Sequence, residues 1–183
     1  MPARQDAPHG APVWIDLATP DVARARDFYC AVLGWTADEP DPGFGGYFTF
    51  RRGEHPVAGG RACTPGGEER PQWYVYLASD DARKTADTAL DRGGQVLVPP
   101  AEVGELGVMA FVADPGGAPV GVWQPALHRG IGVLGETGAP SWFELHTRDY
   151  EGSLAFLRDV FGWDTRTVSE APARYTVLEA DGE

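Results

Sequence analysis

The chain has 183 residues, of which 43% are hydrophobic and 11% aromatic, so it can bury a substantial core and does not have the composition of a disordered protein. It carries 27 acidic against 15 basic residues, a formal net charge of −12. This charge disfavours binding to nucleic acids and acidic membranes, which needs clustered Lys and Arg. It is compatible with a cationic small ligand or with a purely solubilising role.

The N-terminal segment and the cysteines favour a cytoplasmic protein. Residues 1–12 form a polar arm without the apolar stretch of a signal peptide, and no apolar run in the chain approaches the length of a membrane span. Cys30 and Cys63 have no metal-type spacing and no histidine neighbour, which argues against a disulfide framework and against a nucleophile. We therefore expect no membrane and no nucleic-acid partner.

The first part of the chain, residues 13–62, predicts a βαβββ unit. Residues 13–19 alternate as in a strand, and Thr19 or Asp21 can cap a helix whose apolar residues recur at helical spacing until Gly34. A short strand opening at Trp35 and two further strands complete the unit.

The same order returns over residues 72–124. A strand precedes an amphipathic helix that ends at Gly93 and Gly94, and three strands come after it, the last two joined by the turn sequence DPGG. Residues 125–140 resemble a linker between domains. The fold class expected is therefore α+β, with two paired βαβββ units.

The opening phrase of the first unit, VWIDLATPD, is echoed by SWFELHTRD at residues 141–149. Trp142 follows Trp14 by 128 residues (142 − 14), and eight of the 22 positions from Trp14 to Trp35 are identical at this offset. Tyr47 and Tyr175 match at the same offset. The repeat has the length of a domain, so residues 141–183 are predicted to form the first part of a second domain.

The paired units, the helix phrase FYCAVLGW and the closing phrase FVADPGGAPVGVWQP resemble the vicinal oxygen chelate superfamily, which includes glyoxalase I, extradiol dioxygenases and bleomycin-resistance proteins. The closest resemblance is to two-domain actinobacterial-type members. It implies that residues 13–124 fold into a half-open barrel, the glyoxalase/bleomycin-resistance fold, whose interior is the active site. Many relatives hold a divalent metal there through His, Gln or Glu at four strand positions.

The four positions that correspond to these metal ligands carry other residues in this chain. Trp14 and Tyr74 stand at the first-strand positions, Gly121 at the last-strand position of the second unit, and Gly59 near that of the first. Trp142 replaces the same ligand in the second copy. Trp and Gly side chains cannot ligate a metal, so we expect no metal and no cofactor at the inherited site.

Strand alternation predicts which side chains face the barrel interior. The result is an aromatic cleft with one carboxylate, formed by Trp14, Asp16, Tyr74, Tyr76 and Trp123. Such a lining suits a planar or cationic organic ligand through stacking and cation–π contacts. Aromatic side chains that simply fill the barrel are the alternative.

Asp16 is the best candidate for a catalytic group, because an inward carboxylate needs a hydrogen-bonding partner or water. It can anchor a cation or act as a general base, or it can form a structural salt bridge with Arg51 or Arg61.

The histidines offer one weaker candidate. His9 and His128 lie in the arm and the linker and are expected to be solvated, and His55 lies in a turn. His146 shares a predicted strand face with Glu144, which permits a metal or acid–base site or a simple hydrogen-bonded pair.

The sequence leaves three functions open. The first is metal-free binding of a small organic molecule, as in bleomycin-resistance proteins. The second is a glyoxalase-like lyase or isomerase, or a dioxygenase, with a divalent metal at an atypical site of Asp16, Glu144 and His146. The third is a structural or regulatory domain whose cavity is filled. The partial second domain is expected to pair with another copy in a homodimer, to pack on the first domain, or to belong to a longer chain.

Overall fold

The computed structural model describes residues 6–64, 70–172 and 174–178. The first unit has the predicted order of one strand, one helix and three strands. Its elements are β1 (Pro12–Thr19), α1 (Val22–Leu33), β2 (Thr36–Ala37), a 3-10 turn (Pro42–Phe44), β3 (Phe48–Arg52) and β4 (His55–Ala62).

The second unit repeats this order without the 3-10 turn. Its elements are β5 (Gln72–Ala78), α2 (Ala82–Asp91), β6 (Gln95–Val103), β7 (Gly107–Ala113) and β8 (Pro119–Pro125). The predicted α+β class with paired βαβββ units is therefore confirmed. No helix within the described residues is long and apolar enough to cross a membrane.

The two units join into one curved, open sheet of eight strands in the order β2-β3-β4-β1-β5-β8-β7-β6. In each unit the first strand pairs in parallel with the last, β1 with β4 and β5 with β8. The units meet where β1 runs antiparallel to β5, which places Trp14 opposite Tyr76 and Asp16 opposite Tyr74. Alternate residues along each of these two central strands therefore point to the same, concave face of the sheet.

Both helices begin where the sequence predicts, and α1 also ends there, whereas α2 ends at Asp91 with Arg92 as its C-cap, just before the predicted Gly93. Asp21 and Asp81 accept hydrogen bonds from backbone amides in the first turn of α1 and α2. Gly34 ends α1 in the left-handed conformation, with φ of 67°, which glycine adopts without a side-chain clash.

The segment 125–140, predicted as a linker, is packed across the first unit. Ile131 is buried and its amide donates to the Val13 carbonyl over 2.8 Å. Arg52 forms an ion pair with Glu136 at 2.9 Å. The segment thus contributes to the core of the first unit.

The predicted strand over residues 141–149 is wrong, because the structure assigns no strand there. In the first unit the matching strand, β1, lies between two neighbours that satisfy its backbone groups. Residues 141–149 pair with no strand of the described part of the chain. From residue 150 onward the chain matches the repeat again, with helix α3 (Tyr150–Phe161) and a hairpin of β9 (Thr165–Ser169) and β10 (Tyr175–Leu178).

Helix α3 packs against α2 of the second unit, which was one of the three ways expected to cover the partial repeat. Phe156 and Phe161 are buried in a cluster that also contains Ala86 of α2. The counterpart of Phe156 in α1, Phe28, is 56% exposed, whereas Phe156 is 2% exposed. Identical residues at repeated positions therefore have opposite environments. Pairing of two copies stays a prediction.

Candidate functional site: an aromatic cavity on the concave sheet face

The concave face of the sheet borders an open cavity of 1210 Å³. Typical pockets for drug-sized ligands occupy roughly 300–1,000 Å³, so the space admits an organic molecule of several rings. The aromatic side chains line this space without filling it. The five predicted pocket residues all line it: Trp14, Asp16, Tyr74, Tyr76 and Trp123.

Asp16 is the centre of a hydrogen-bond network in the cavity. Its Oδ1 accepts from the Trp14 indole N–H at 2.9 Å and from the Tyr47 hydroxyl at 2.6 Å. Its Oδ2 accepts from the Tyr76 hydroxyl at 2.9 Å. Asp16 is only 5% exposed, so protein donors take the place of water at both oxygens. The carboxylate consequently fixes the orientation of three aromatic rings in the cavity.

Burial determines the electrostatics of this network. It raises the pKa of Asp16, although hydrogen bonds from Tyr47, Tyr76 and Trp14 and the charge of Arg61 oppose the rise. The pKa of Tyr47 is raised well above its usual value, first by burial and then by the adjacent Asp16 carboxylate. A hydroxyl that resists ionisation stays a hydrogen-bond donor to Asp16 over the whole physiological pH range.

The salt bridge considered for Asp16 is not formed with Arg51. The Arg51 guanidinium instead binds both oxygens of Asp38, each at 3.0 Å. Arg61 acts on Asp16 through its charge and lines the cavity together with Arg70.

His128 lies in the cavity wall, so the prediction that it is solvated is wrong. Its ring contacts the Trp14 ring edge-on, with centroids 4.3 Å apart, and the Trp123 ring at 5.5 Å. The His128 carbonyl accepts the Trp123 indole N–H at 3.0 Å. Burial lowers the pKa of His128 from 6.5 to about 4, so the imidazole is neutral at physiological pH. The segment after β8 brings it here by turning back over the concave face.

The last-strand positions that the family resemblance assigns to metal ligands, Gly121 and the neighbourhood of Gly59, have no room for a side chain. A Cβ atom at Gly59 would lie 1.8 Å from the Tyr47 hydroxyl oxygen and 2.3 Å from Asp16 Oδ1. At Gly121 it would lie 2.4 Å from the Tyr76 ring. The aromatic network thus occupies the space that a metal-binding side chain would need at either glycine. The residues present do not fit a metal in the inherited geometry.

The atypical metal site is not assembled either. Glu144 and His146 lie 3.4 Å apart on the exposed segment before α3 and do not line the cavity that contains Asp16. Among the described residues, no three His, Cys, Asp or Glu side chains are grouped so that they could hold a metal ion. Glu144 and His146 therefore form a hydrogen-bonded pair, one of the two alternatives considered for them.

The residues of the cavity that strand alternation does not predict include Tyr47 and His128. Tyr47 lies directly before β3 and forms an isolated bridge with Asp41, although the sequence GYFTFRR predicts a strand that includes it, and His128 lies beyond the end of β8. The sequence does carry a signal for Tyr47, because it recurs as Tyr175 at the repeat offset. No comparable signal marks His128.

The cavity and the paired βαβββ units define a glyoxalase-type fold. A family model, described as the Glyoxalase/Bleomycin resistance protein/Dioxygenase superfamily, matches residues 11–122. The chain belongs to this superfamily.

Among curated proteins, the chain is 38% identical over 186 residues to "Putative glyoxylase CFP32" of Mycobacterium tuberculosis (strain CDC 1551 / Oshkosh). The match covers 98% of this chain and 71% of that protein. It is also 38% identical over 167 residues to "Anthracycline biosynthesis protein DauV" of Streptomyces sp. (strain C5), a match that covers 84% of this chain and 61% of DauV.

Solved structures with the same fold include the Mn(II)-bound glyoxalase from Novosphingobium aromaticivorans, with a TM-score of 0.59 and 17% identity. The 2,3-dioxygenase LapB from Pseudomonas sp. KL28 also has a TM-score of 0.59, with 14% identity. These matches cover 89% and 93% of this chain, but only 55% and 65% of the two chains compared. The likeness is one of fold.

Proposed function

We propose that this protein binds a planar aromatic organic molecule, neutral or cationic, in the concave cavity and that it needs no metal ion to do so. The observation that carries the proposal is the network around Asp16, which holds Trp14, Tyr47 and Tyr76 in fixed orientations. Side chains fixed before binding form a rigid wall that needs little rearrangement when a flat ligand lies against it.

The size and charge of the cavity support this ligand class. A volume of 1210 Å³ exceeds the need of a single ring and suits a fused ring system. The acidic residues Asp38, Glu39 and Asp41 line the cavity beside Arg61 and Arg70, and the chain carries a net charge of −12. A cation that stacks on Trp or Tyr gains about 0.5–2 kcal/mol per good contact.

The relatives support the same class. DauV is named for anthracycline biosynthesis, and an anthracycline contains a flat, fused aromatic ring system. The fold of the superfamily forms the cavity. The aromatic side chains that line it in this chain offer a surface that suits such a ring system. A cytoplasmic location remains the prediction from the sequence.

Binding is tested by titrating the protein with proflavine, a planar tricyclic cation, and with anthraquinone-2-sulfonate, a planar tricyclic anion, while tryptophan fluorescence and calorimetry are recorded. We expect saturable binding of one molecule per cavity, tighter for proflavine. Tyr74→Leu should weaken it about three- to tenfold through the loss of one stacking ring. Leu127→Ala, a change at an exposed residue outside the cavity, should leave it unchanged. Failure of proflavine to bind, or tighter binding of anthraquinone-2-sulfonate than of proflavine, would refute the proposal.

The competing function is a metal-dependent enzyme, a glyoxalase-like lyase or isomerase or a dioxygenase, which the name of the mycobacterial relative favours. Elemental analysis of purified protein separates the two. Equal proflavine affinity before and after exhaustive chelation supports metal-free binding. Stoichiometric Mn, Fe, Ni or Zn, whose removal abolishes binding and whose return restores it, would favour the enzyme.

A further inference from the structure

The two outer edges of the eight-stranded sheet carry turns that face each other across the cavity. At the edge of the first unit the 3-10 turn Pro42–Phe44 connects β2 to β3, and at the edge of the second unit a short turn connects β6 to β7. Phe44 of the first turn and Leu106 of the second both line the cavity. A contact between the two turns therefore covers part of the opening.

Phe44 makes this contact. A Cβ atom at Gly104, in the turn between β6 and β7, would lie 3.8 Å from Phe44 Cζ and 3.9 Å from Phe44 Cε1, which is an ordinary van der Waals separation. The ring of a residue of the first unit thus reaches across to the outer edge of the second unit.

The contact lies at the end of the cavity that contains Trp14, Trp123 and His128, which we call the aromatic end. The carbonyl of Leu106, two residues after Gly104, accepts a hydrogen bond from the His128 amide at 3.0 Å. The His128 ring in turn contacts the rings of Trp14 and Trp123. The Phe44 ring consequently closes the sheet next to the surfaces on which a flat ligand would stack.

Core packing does not account for the position of Phe44. Its side chain is 46% exposed, and it belongs to none of the hydrophobic clusters of the described residues. Its contact across the opening is with a glycine, which has no side chain, so only a few pairs of atoms hold the ring there. Such a contact is easily broken and formed again.

The turn that carries Phe44 is fixed at its base and free at its tip. The Asp41 amide donates to the Tyr47 carbonyl and the Gly46 amide donates to the Asp41 carbonyl, each at 2.8 Å. Beyond this base, a Cβ atom at Gly45 or Gly46 would meet no atom of the described residues within 4 Å. Neighbouring side chains therefore leave the Phe44 ring room to move.

We propose that Phe44 is the lid of the cavity. Its ring swings away from Gly104 to admit a flat ligand to the aromatic end, and it then closes over the bound ligand. The lid selects ligands by their thickness and slows their release. The ligand class rests on the proposed function, whereas the lid rests on the contact between Phe44 and Gly104.

Stopped-flow tryptophan fluorescence with proflavine measures the rate constants of association and dissociation. Because a lid opposes both entry and exit, Phe44→Ala should raise the association rate constant about threefold and the dissociation rate constant about tenfold. Phe44→Leu, with an apolar but shorter side chain, should give intermediate values. Phe28→Ala is the matched control and should change neither, because Phe28 is an exposed phenylalanine that does not line the cavity.

Selection by thickness is tested with phenosafranine, a flat tricyclic diamino cation like proflavine that also carries a phenyl ring perpendicular to its plane. The cavity of 1210 Å³ has room for this phenyl ring, so slow entry would identify the opening as the barrier. Phenosafranine should associate with the wild type at least about tenfold more slowly than proflavine, and Phe44→Ala should reduce this ratio to about threefold or less.

A measurement without ligand tests the lid independently of the ligand class. The whole chain is labelled with 5-fluorotryptophan, single Trp→Phe variants assign the fluorine NMR signals, and the neutral nitroxide 4-hydroxy-TEMPO is added. Trp123 is 7% exposed and lines the cavity. Broadening of its signal by the nitroxide should increase about twofold or more in Phe44→Ala and stay unchanged in Phe28→Ala.

The outcomes distinguish the two proposals. If proflavine does not bind while Phe44→Ala exposes Trp123 to the nitroxide, the proposed function falls and the lid stands. If proflavine binds but Phe44→Ala changes neither the rate constants nor the broadening, the lid is overturned and the function stands. Faster dissociation with unchanged association and unchanged broadening would show that Phe44 is a fixed wall, which also overturns the lid.

Discussion

The neutral state of His128 leads to a quantitative prediction about acid stability. The folded protein holds this imidazole against Trp14 and Trp123 with a pKa of about 4, whereas an unfolded chain has the ordinary value of 6.5. Because the folded pKa is the lower one, the unfolded state takes up the proton first as the pH falls. The free energy of unfolding therefore keeps its full value above pH 6.5, as far as His128 is concerned, and falls progressively as the pH is lowered to about 4.

The expected loss is set by the difference between the two pKa values. A difference of 2.5 units (6.5 − 4) corresponds to about 3 kcal/mol in the free energy of unfolding once the pH is below both values. At pH 5 the same linkage relation gives a loss of about 2 kcal/mol in the free energy of unfolding. The imidazole is largely buried, so solvent screening reduces this value little.

Urea denaturation of the wild type and of His128→Phe at about pH 7.5 and about pH 5 measures the effect. Between these pH values the wild type should lose about 2 kcal/mol more stability than the variant, because the variant has no imidazole to protonate. His146→Phe is the control, since His146 is exposed and its replacement should leave the wild-type loss intact. An NMR titration that places the His128 pKa near 6.5, or an equal loss in wild type and His128→Phe, would refute the reasoning.

Three further changes test the packing. Phe156→Ala should reduce the free energy of unfolding by about 3–5 kcal/mol and Phe28→Ala by less than about 0.5 kcal/mol, and similar costs in urea denaturation would contradict the docking of α3. Gly59→Ala should cost about 1–3 kcal/mol, since its Cβ would overlap a phenol oxygen, and an unchanged melting temperature would disprove this overlap. Ser153→Ala should cost about 1–3 kcal/mol, because it removes a hydrogen bond to the buried Asp114, and full stability would show that water replaces the serine.

The sequence was sufficient for features that depend on local periodicity. Strand alternation placed Trp14 and Asp16 on one face, because side chains of a strand point alternately to opposite sides whatever the strand pairs with. The helix bounds could be predicted from capping residues such as Asp21 and Gly34, whose effect is also local.

Features that depend on distant chain segments were not accessible in this way. Residues 141–149 repeat the letters of a strand, but a strand exists only where neighbours satisfy its backbone groups, and this segment has none in the described chain. His128 looked solvated because a Pro- and Gly-rich segment carries no pattern, yet that segment folds back over the cavity. The opposite burial of Phe28 and Phe156 likewise depends on which surface each helix meets.

The aromatic network and the missing metal ligands are parts of one arrangement. Gly59 lacks a side chain where the Tyr47 hydroxyl meets Asp16, and Gly121 lacks one where the Tyr76 ring lies. A carboxylate or imidazole at either glycine would displace a tyrosine and leave buried Asp16 short of a donor, at a cost of about 1–3 kcal/mol per unsatisfied group. A single substitution cannot therefore place a carboxylate or an imidazole at these positions of the cavity without displacing the network. The glycines and the tyrosines have to change together, because each glycine provides the space that a tyrosine of the network occupies.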